Sequence, residues 1–144
     1  MDVHEFNFGI DEKVRFSDVD SLGHVNNAVY LSYFEESRIR YLENLLGPTR
    51  GDASSLRIIV LEIRCTYKIP AYYGESIRIH SRVSWMRNKS MQMDYLITNP
   101  ADGQTIAEGS SILVGYDYDR GQSIELPDIL RSSIAAFERI PPRS

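Results

Sequence analysis

Cysteine occurs once in the 144 residues, at Cys65, so no internal disulfide and no thiolate metal cluster can form. A chain free of disulfides suits a reducing compartment, and a cytoplasmic setting is expected. Long apolar runs are missing as well. The longest, as at Ile58–Leu61, is four residues, far short of a membrane span. The first residues include Asp2, His4 and Glu5 and lack the basic start and apolar stretch of a secretion signal. Positive charge is scarce too, with 16 basic residues against 20 acids and a net charge of −4. Residues 1–72 hold 8 basic residues and 11 acids, and residues 73–144 hold 8 and 9, so neither half invites broad capture of nucleic acid. A small basic patch for a phosphorylated ligand stays open.

What is present is an ordinary folded composition, 42% hydrophobic and 25% charged, in a chain of single-domain length; residues 1–144 are expected to form one domain. Tyrosine is over-represented, with nine copies against one tryptophan and five phenylalanines. Its apolar body and polar tip suit half-buried pockets and interfaces.

Periodicity lays out the elements. Phe8–Phe16 reads as a strand carrying Phe8, Ile10, Val14 and Phe16. Ser17–Gly23 is a loop, and Asn26 or Asn27 can cap the helix that follows. That helix runs to about Leu46 and stops at Gly47-Pro48. Its apolar residues (Val29, Tyr30, Leu31, Phe34, Ile39, Tyr41, Leu42, Leu45, Leu46) form a wide band, as expected of a helix wrapped on several sides. Four strands follow, at about Leu56–Ile69, Glu75–Trp85, Ser90–Thr98 and Thr105–Tyr116. The second alternates Ile77, Ile79, Ser81, Val83 and Trp85 with Arg78, His80, Arg82 and Ser84, a clear period of two. Asn99-Pro100-Ala101-Asp102-Gly103 is a hairpin turn. A short helix starts near Pro127-Asp128, with Ile129, Leu130, Ile134 and Phe137 as its apolar face. Consecutive strands without crossover helices exclude parallel pairing. The fold class is α+β: one long antiparallel sheet around one central helix, with sheet edges that invite a second copy.

The chemistry concentrates in one segment. Asp18, Asp20, His24, Asn26, Asn27 and Tyr30 lie within thirteen residues and straddle a strand end, a loop and a helix start. A helix start offers free backbone N–H groups and a positive dipole end, which polarise a carbonyl or hold an oxyanion. Asp20 lies just upstream, where it can present a carboxylate to the same carbonyl. A nucleophile or base facing an oxyanion hole is what acyl transfer requires. The same residues also fit a turn with its caps. A calcium loop lacks the glutamate at its twelfth position. His4, His24 and His80 are too scattered for a zinc site, so no metal is expected.

The string Asp18-x-Asp20-x-x-Gly23-His24-Val25-Asn26-Asn27-x-x-Tyr30, followed by Glu35-x-x-Arg38, resembles the hotdog-fold acyl-CoA thioesterases of the 4-hydroxybenzoyl-CoA thioesterase type. The likeness extends to Arg64–Ile69, to the Pro70-x-x-x-Gly74-Glu75 step and to the Arg87-x-Lys89-Ser90 turn. It implies hydrolysis of an acyl thioester without a metal or redox cofactor, coenzyme A being part of the substrate. Asp20 matches the family's catalytic carboxylate, either nucleophile or activator of water. Asn27 matches the position whose backbone N–H faces the carbonyl oxygen, and Gly23 allows close backbone approach. The His-Val-Asn-Asn variant resembles the acyl-acyl carrier protein branch, which makes His24 and Asn26 candidates. A histidine titrates near neutrality, so His24 can orient water or protonate the leaving thiolate, or simply bond within the loop.

Tyr30 and Phe34, with Tyr33, Tyr41 and Leu45, would line an aromatic acyl pocket. Arg38 would bind substrate, as an arginine does in a related enediyne-type subgroup, or form an ion pair with Glu35 or Asp20. Arg87, Lys89 and Ser90 match a turn that contacts the phosphates of coenzyme A. The resemblance also implies a homodimer or homotetramer with sites at the seam. Competing readings are a non-catalytic acyl-CoA or acyl-carrier binding module and a dehydratase on the same fold.

Overall fold

The computed structural model describes all 144 residues. Strands β1 (Phe8–Lys13), β2 (Ile58–Tyr67), β3 (Ser76–Met86), β4 (Ser90–Thr98) and β5 (Thr105–Asp117) form an antiparallel sheet in the order β1-β3-β4-β5-β2. A two-residue strand, β6 (Gln122–Ser123), pairs with the end of β5. Helix α1 (Val29–Leu46) crosses the sheet, and α2 (Asp128–Phe137) packs beside it. The expected α+β architecture stands: a long antiparallel sheet curved around one long helix, the hotdog fold.

The core lies between α1 and the inner face of the sheet. Ile77, Ile79 and Val83 of β3 are fully buried, as their period of two predicts, and Met91, Met93, Tyr95 and Ile97 of β4 join them. On α1 the buried residues are Tyr30, Tyr33, Phe34, Ser37, Arg38, Tyr41 and Leu42. Their spacing of three and four makes one broad stripe, and it packs against β1, β2, β3 and α2, as a helix wrapped by several elements should. Leu31, expected in a wide band, is 36% exposed. Small residues let helix and sheet approach: the Ser37 hydroxyl contacts Ser81 Oγ and donates to the Ile79 carbonyl at 3.4 Å.

Several boundaries move for local reasons. β1 ends at Lys13, not at Phe16, because Phe16–Asp18 forms a 3-10 turn whose Asp18 carboxylate accepts the Arg15 N–H at 2.9 Å. β2 starts at Ile58, not Leu56, because Ala53–Leu56 is another 3-10 turn and Arg57 is left-handed at φ 55°. Ile129, expected on the buried face of α2, is 65% exposed, whereas Leu130 and Ile134 are buried.

β2 is the odd strand. It is an edge, it is exposed along most of its length, and a bulge between Val60 and Glu62 leaves Leu61 unpaired and 70% exposed. Between this strand and α1 the structure leaves a groove with a cavity toward each end.

Candidate active site

The loop before α1 is built from its own polar groups. Asp20 N–H donates to the His24 carbonyl at 3.0 Å, and Gly23 N–H donates to the Asp20 carbonyl at 3.0 Å. Gly23 sits at φ 86°, a conformation that disfavours any residue with a Cβ. Asp20 Oδ1 accepts the Leu22 N–H at 2.9 Å, which holds the carboxylate over the turn. Val19 and Val25 pair as an antiparallel bridge across the loop. Val25 N–H donates to the Ala71 carbonyl at 2.8 Å and docks the loop against the segment entering β3.

The helix start is tied down separately. Neither asparagine is the cap: Ala28 holds that position without a side-chain bond, and Asn26 builds the turn leading into it, its Oδ1 accepting the Ala28 N–H and its carbonyl the Val29 N–H, both at 2.9 Å. The Tyr67 hydroxyl, from β2, donates to the Asn27 carbonyl at 2.8 Å. The Asn27 N–H itself donates to no protein acceptor. A free N–H beside a helix start is able to polarise a carbonyl oxygen.

His24, Asn27 and Tyr30 line a cavity of about 180 Å³ together with Val25, Tyr67, Lys68, Ile69 and Pro70. The imidazole Nδ1 of His24 sits 3.2 Å from the Val25 carbonyl, and its other ring nitrogen has no protein partner. Tyr30 packs edge-on against Tyr67 at 5.1 Å between ring centroids, and burial raises its phenol, which therefore stays protonated. Cys65 is half-buried, lies outside the cavity lining, and burial pushes its thiol up, which suits an inert side chain rather than a nucleophile.

The structure separates the remaining candidates. Phe34 is fully buried, stacked on Tyr95 at 4.6 Å and against Gly109, so in the single chain it is core and lines no cavity. Tyr41 is likewise fully buried. Arg38 is buried but borders a second cavity of about 480 Å³, whose other walls are mostly apolar: Ile39, Leu56, Ile58, Ile59, Val60 and Leu113. Its Nη1 donates to the Tyr95 hydroxyl at 3.2 Å, and Nη2 lies 3.8 Å from Glu35. The expected partner is therefore Glu35 and not Asp20.

Arg87, Lys89 and Ser90 do form a turn, closed by Arg87 N–H donating to the Ser90 carbonyl at 2.7 Å, with Arg87 stacked over Trp85. Yet that turn lies at the opposite end of the sheet from Asp20. Ser90 pairs with Val114 while Thr98 pairs with Thr105, so the nine residues of β4, roughly 27 Å, separate the two regions. No cluster of three His, Cys, Asp or Glu side chains is arranged to hold a metal ion. Sequence reasoning missed Tyr67, Lys68 and Ile69 because nothing local marks a strand end that folds onto a loop some forty residues away.

With this geometry in place the family can be assigned. Residues 14–134 match the thioesterase-like superfamily. The chain belongs to it. The expectation of a thioesterase enzyme is thereby met at the level of class, although the match does not reach the 4-hydroxybenzoyl-CoA type. The long-chain acyl-CoA thioesterase FadM of Escherichia coli (strain K12) is 30% identical over 122 residues, covering 85% of this chain and 92% of FadM. The chloroplastic acyl-acyl carrier protein thioesterase ATL3 of Arabidopsis thaliana is 25% identical, covering 90% of this chain and 68% of ATL3. A Thermus thermophilus thioesterase crystallised with coenzyme A and zinc superposes with a TM-score of 0.85 at 32% identity, covering 96% of this chain and 99% of that one.

Proposed function

We propose that this superfamily member hydrolyses acyl-coenzyme A thioesters, with Asp20 as nucleophile or general base and the Asn27 N–H as oxyanion donor. The observation that carries the reading is that one short loop, pinned by its own bonds, supplies both a carboxylate at Asp20, outside the cavity lining, and a free N–H at Asn27, which lines the cavity. Attack by Asp20 or by a water it activates drives charge onto the thioester oxygen, and the Asn27 N–H receives it. Gly23 and Asn26 hold the two halves of the loop. His24, at the cavity wall, protonates the departing thiolate. No step calls for a bound cofactor, because coenzyme A arrives with the substrate.

The acyl group best supported is long and apolar. The larger cavity between α1 and β2 has mostly apolar walls, Arg38 is its one buried cation, and FadM carries a long-chain name.

A second copy completes the site in this reading. Of the two sheet edges, β1 is short and ends in Asp11, Glu12 and Lys13, whereas β2 exposes Ile59, Val60 and Leu61. A two-fold axis at β2 sets Ile58 of one copy against the Tyr67 end of the other. Ile58 pairs with Gly115, whose N–H donates to the Lys89 carbonyl at 2.9 Å. The Arg87–Ser90 turn of one copy thus comes within two strand spacings, roughly 10 Å, of the seam beside its partner's Asn27 cavity. Basic groups at that place suit the phosphates of coenzyme A.

The test is thiol release from a panel of acyl-CoA and acyl-carrier thioesters. Long-chain acyl-CoA is expected to be cleaved, and both Asp20→Ala and Asp20→Asn to lose at least about 100-fold in kcat. Activity retained in both variants would overturn the role of Asp20. Binding of acyl-CoA without cleavage would leave a non-catalytic module on the same fold.

A further inference from the structure

Asp18 is a charged side chain that the proposed chemistry does not use, and it is only 3% exposed. Its Oδ2 accepts the Arg15 N–H at 2.9 Å and the Tyr33 hydroxyl at 2.8 Å, and its Oδ1 accepts Arg15 Nη2 at 3.2 Å. Its main-chain carbonyl accepts the Asn26 N–H at 2.9 Å. The side chain therefore anchors the loop to α1 through Tyr33, while the main chain of the same residue anchors Asn26. Asp20 is two residues downstream of one anchor, and Asn27 is one residue beyond the other. Burial alone would raise the Asp18 carboxyl, but the bonds from Arg15 and Tyr33 outweigh it and hold the group ionised, below the ordinary carboxylate range.

We infer that Asp18 is a positioning residue: it sets the spacing between the Asp20 carboxylate and the Asn27 N–H by clamping both halves of the loop to Tyr33. It touches no substrate. The contributions should be graded by geometry. Asp18→Asn turns one acceptor oxygen into a donor facing the Arg15 and Tyr33 donors. Tyr33→Phe removes the only bond between the carboxylate and the helix. Arg15→Gln removes a side chain that is 73% exposed and leaves the buried N–H bond in place, so it matters least.

The inference rests on the thioesterase reading, so the experiment carries Asp20→Ala beside the other variants. Steady-state thiol release from a long-chain acyl-CoA is measured at a temperature where circular dichroism shows each variant folded. Asp18→Asn and Tyr33→Phe are expected to lower kcat about 10–100-fold while KM moves less than about threefold. Arg15→Gln should stay within about threefold of the wild type. In the Asp20→Ala background, where no carboxylate remains to be positioned, Asp18→Asn should add less than about threefold. A wild-type kcat in Tyr33→Phe, or an equal loss with and without Asp20, overturns the clamp and leaves a purely structural role. Tyr33→Phe keeps the test decisive if Asp18→Asn fails to fold. If Asp20→Ala is fully active, it is the assignment of Asp20 that fails; if the wild type cleaves nothing, both fall.

Discussion

Phe34 and Gly109 show how single residues divide their work in this protein. Phe34 lies on the helix that borders the groove, yet its ring stacks on Tyr95 and leaves no room above Gly109. A Cβ on Gly109 would stand 2.4 Å from the ring and 2.6 Å from the Arg64 carbonyl, closer than real contacts allow. Gly109→Ala should therefore destabilise the fold by about 1–3 kcal/mol, read from urea denaturation. A change under about 0.5 kcal/mol would mean that the ring moves aside freely, and that Phe34 can retreat for a ligand. Motif position alone could not distinguish Phe34 from Tyr30. Both face inward at helical spacing, and only the glycine beneath one ring and the β2 tyrosine beside the other separate core from cavity wall.

At the scale of elements, α2 is held by a buried carboxylate just past its end. The Tyr41 hydroxyl donates to Glu138 at 2.6 Å and the Val83 N–H donates to the same oxygen at 2.9 Å, so one group joins α2, α1 and β3. Burial raises the Glu138 carboxyl; the bonds from Tyr41 and Val83 and the charge of Arg82 pull against it without cancelling it. Its folded state thus binds the proton more tightly than the unfolded chain, whose value is near 4.5. The associated stability is full below that value and declines as pH rises through the raised one. Glu138→Gln cannot titrate. Its stability relative to the wild type should therefore improve from about pH 4 to about pH 7, measured by thermal melts. A difference that is flat with pH, or that runs the other way, would contradict the assignment. Asp18 has the opposite sign, and its contribution is lost as pH falls, which is why the paired comparison is needed. The elements themselves were legible in the sequence. Alternation over Ile77–Trp85, the Asn99–Gly103 turn and Gly47-Pro48 each announce a strand, a hairpin and a helix stop through local chemistry. The ends that moved are those where a side chain reached back to its own backbone, as Asp18 does to Arg15.

For the whole molecule the decisive feature is the uncovered edge at β2. An edge strand exposing Ile59, Val60 and Leu61 is an invitation to pair, and the proposed site needs the Lys89 turn of a second copy. Sedimentation velocity at micromolar concentration should find dimers or dimers of dimers. Leu61→Asp, placing a charge at the exposed bulge, should shift the population to monomer and lower thiol release in parallel. A monomeric wild type of full activity would reject the shared site, while leaving Asp20 and Asn27 untouched.

The sequence by itself determined the kind of fold and singled out the candidate loop. Strand and helix periods, glycine and proline stops and the Asp-x-Asp-x-x-Gly-His-Val-Asn-Asn string are local, so they can be read along the chain. Only the tertiary structure decided which residues meet. Tyr67 reaches Asn27, Arg38 turns to Tyr95 and Glu35, and Arg87 lies a strand's length away from Asp20. Those outcomes depend on sheet order and register, which arise from contacts between residues far apart in sequence and leave no mark on either neighbour alone.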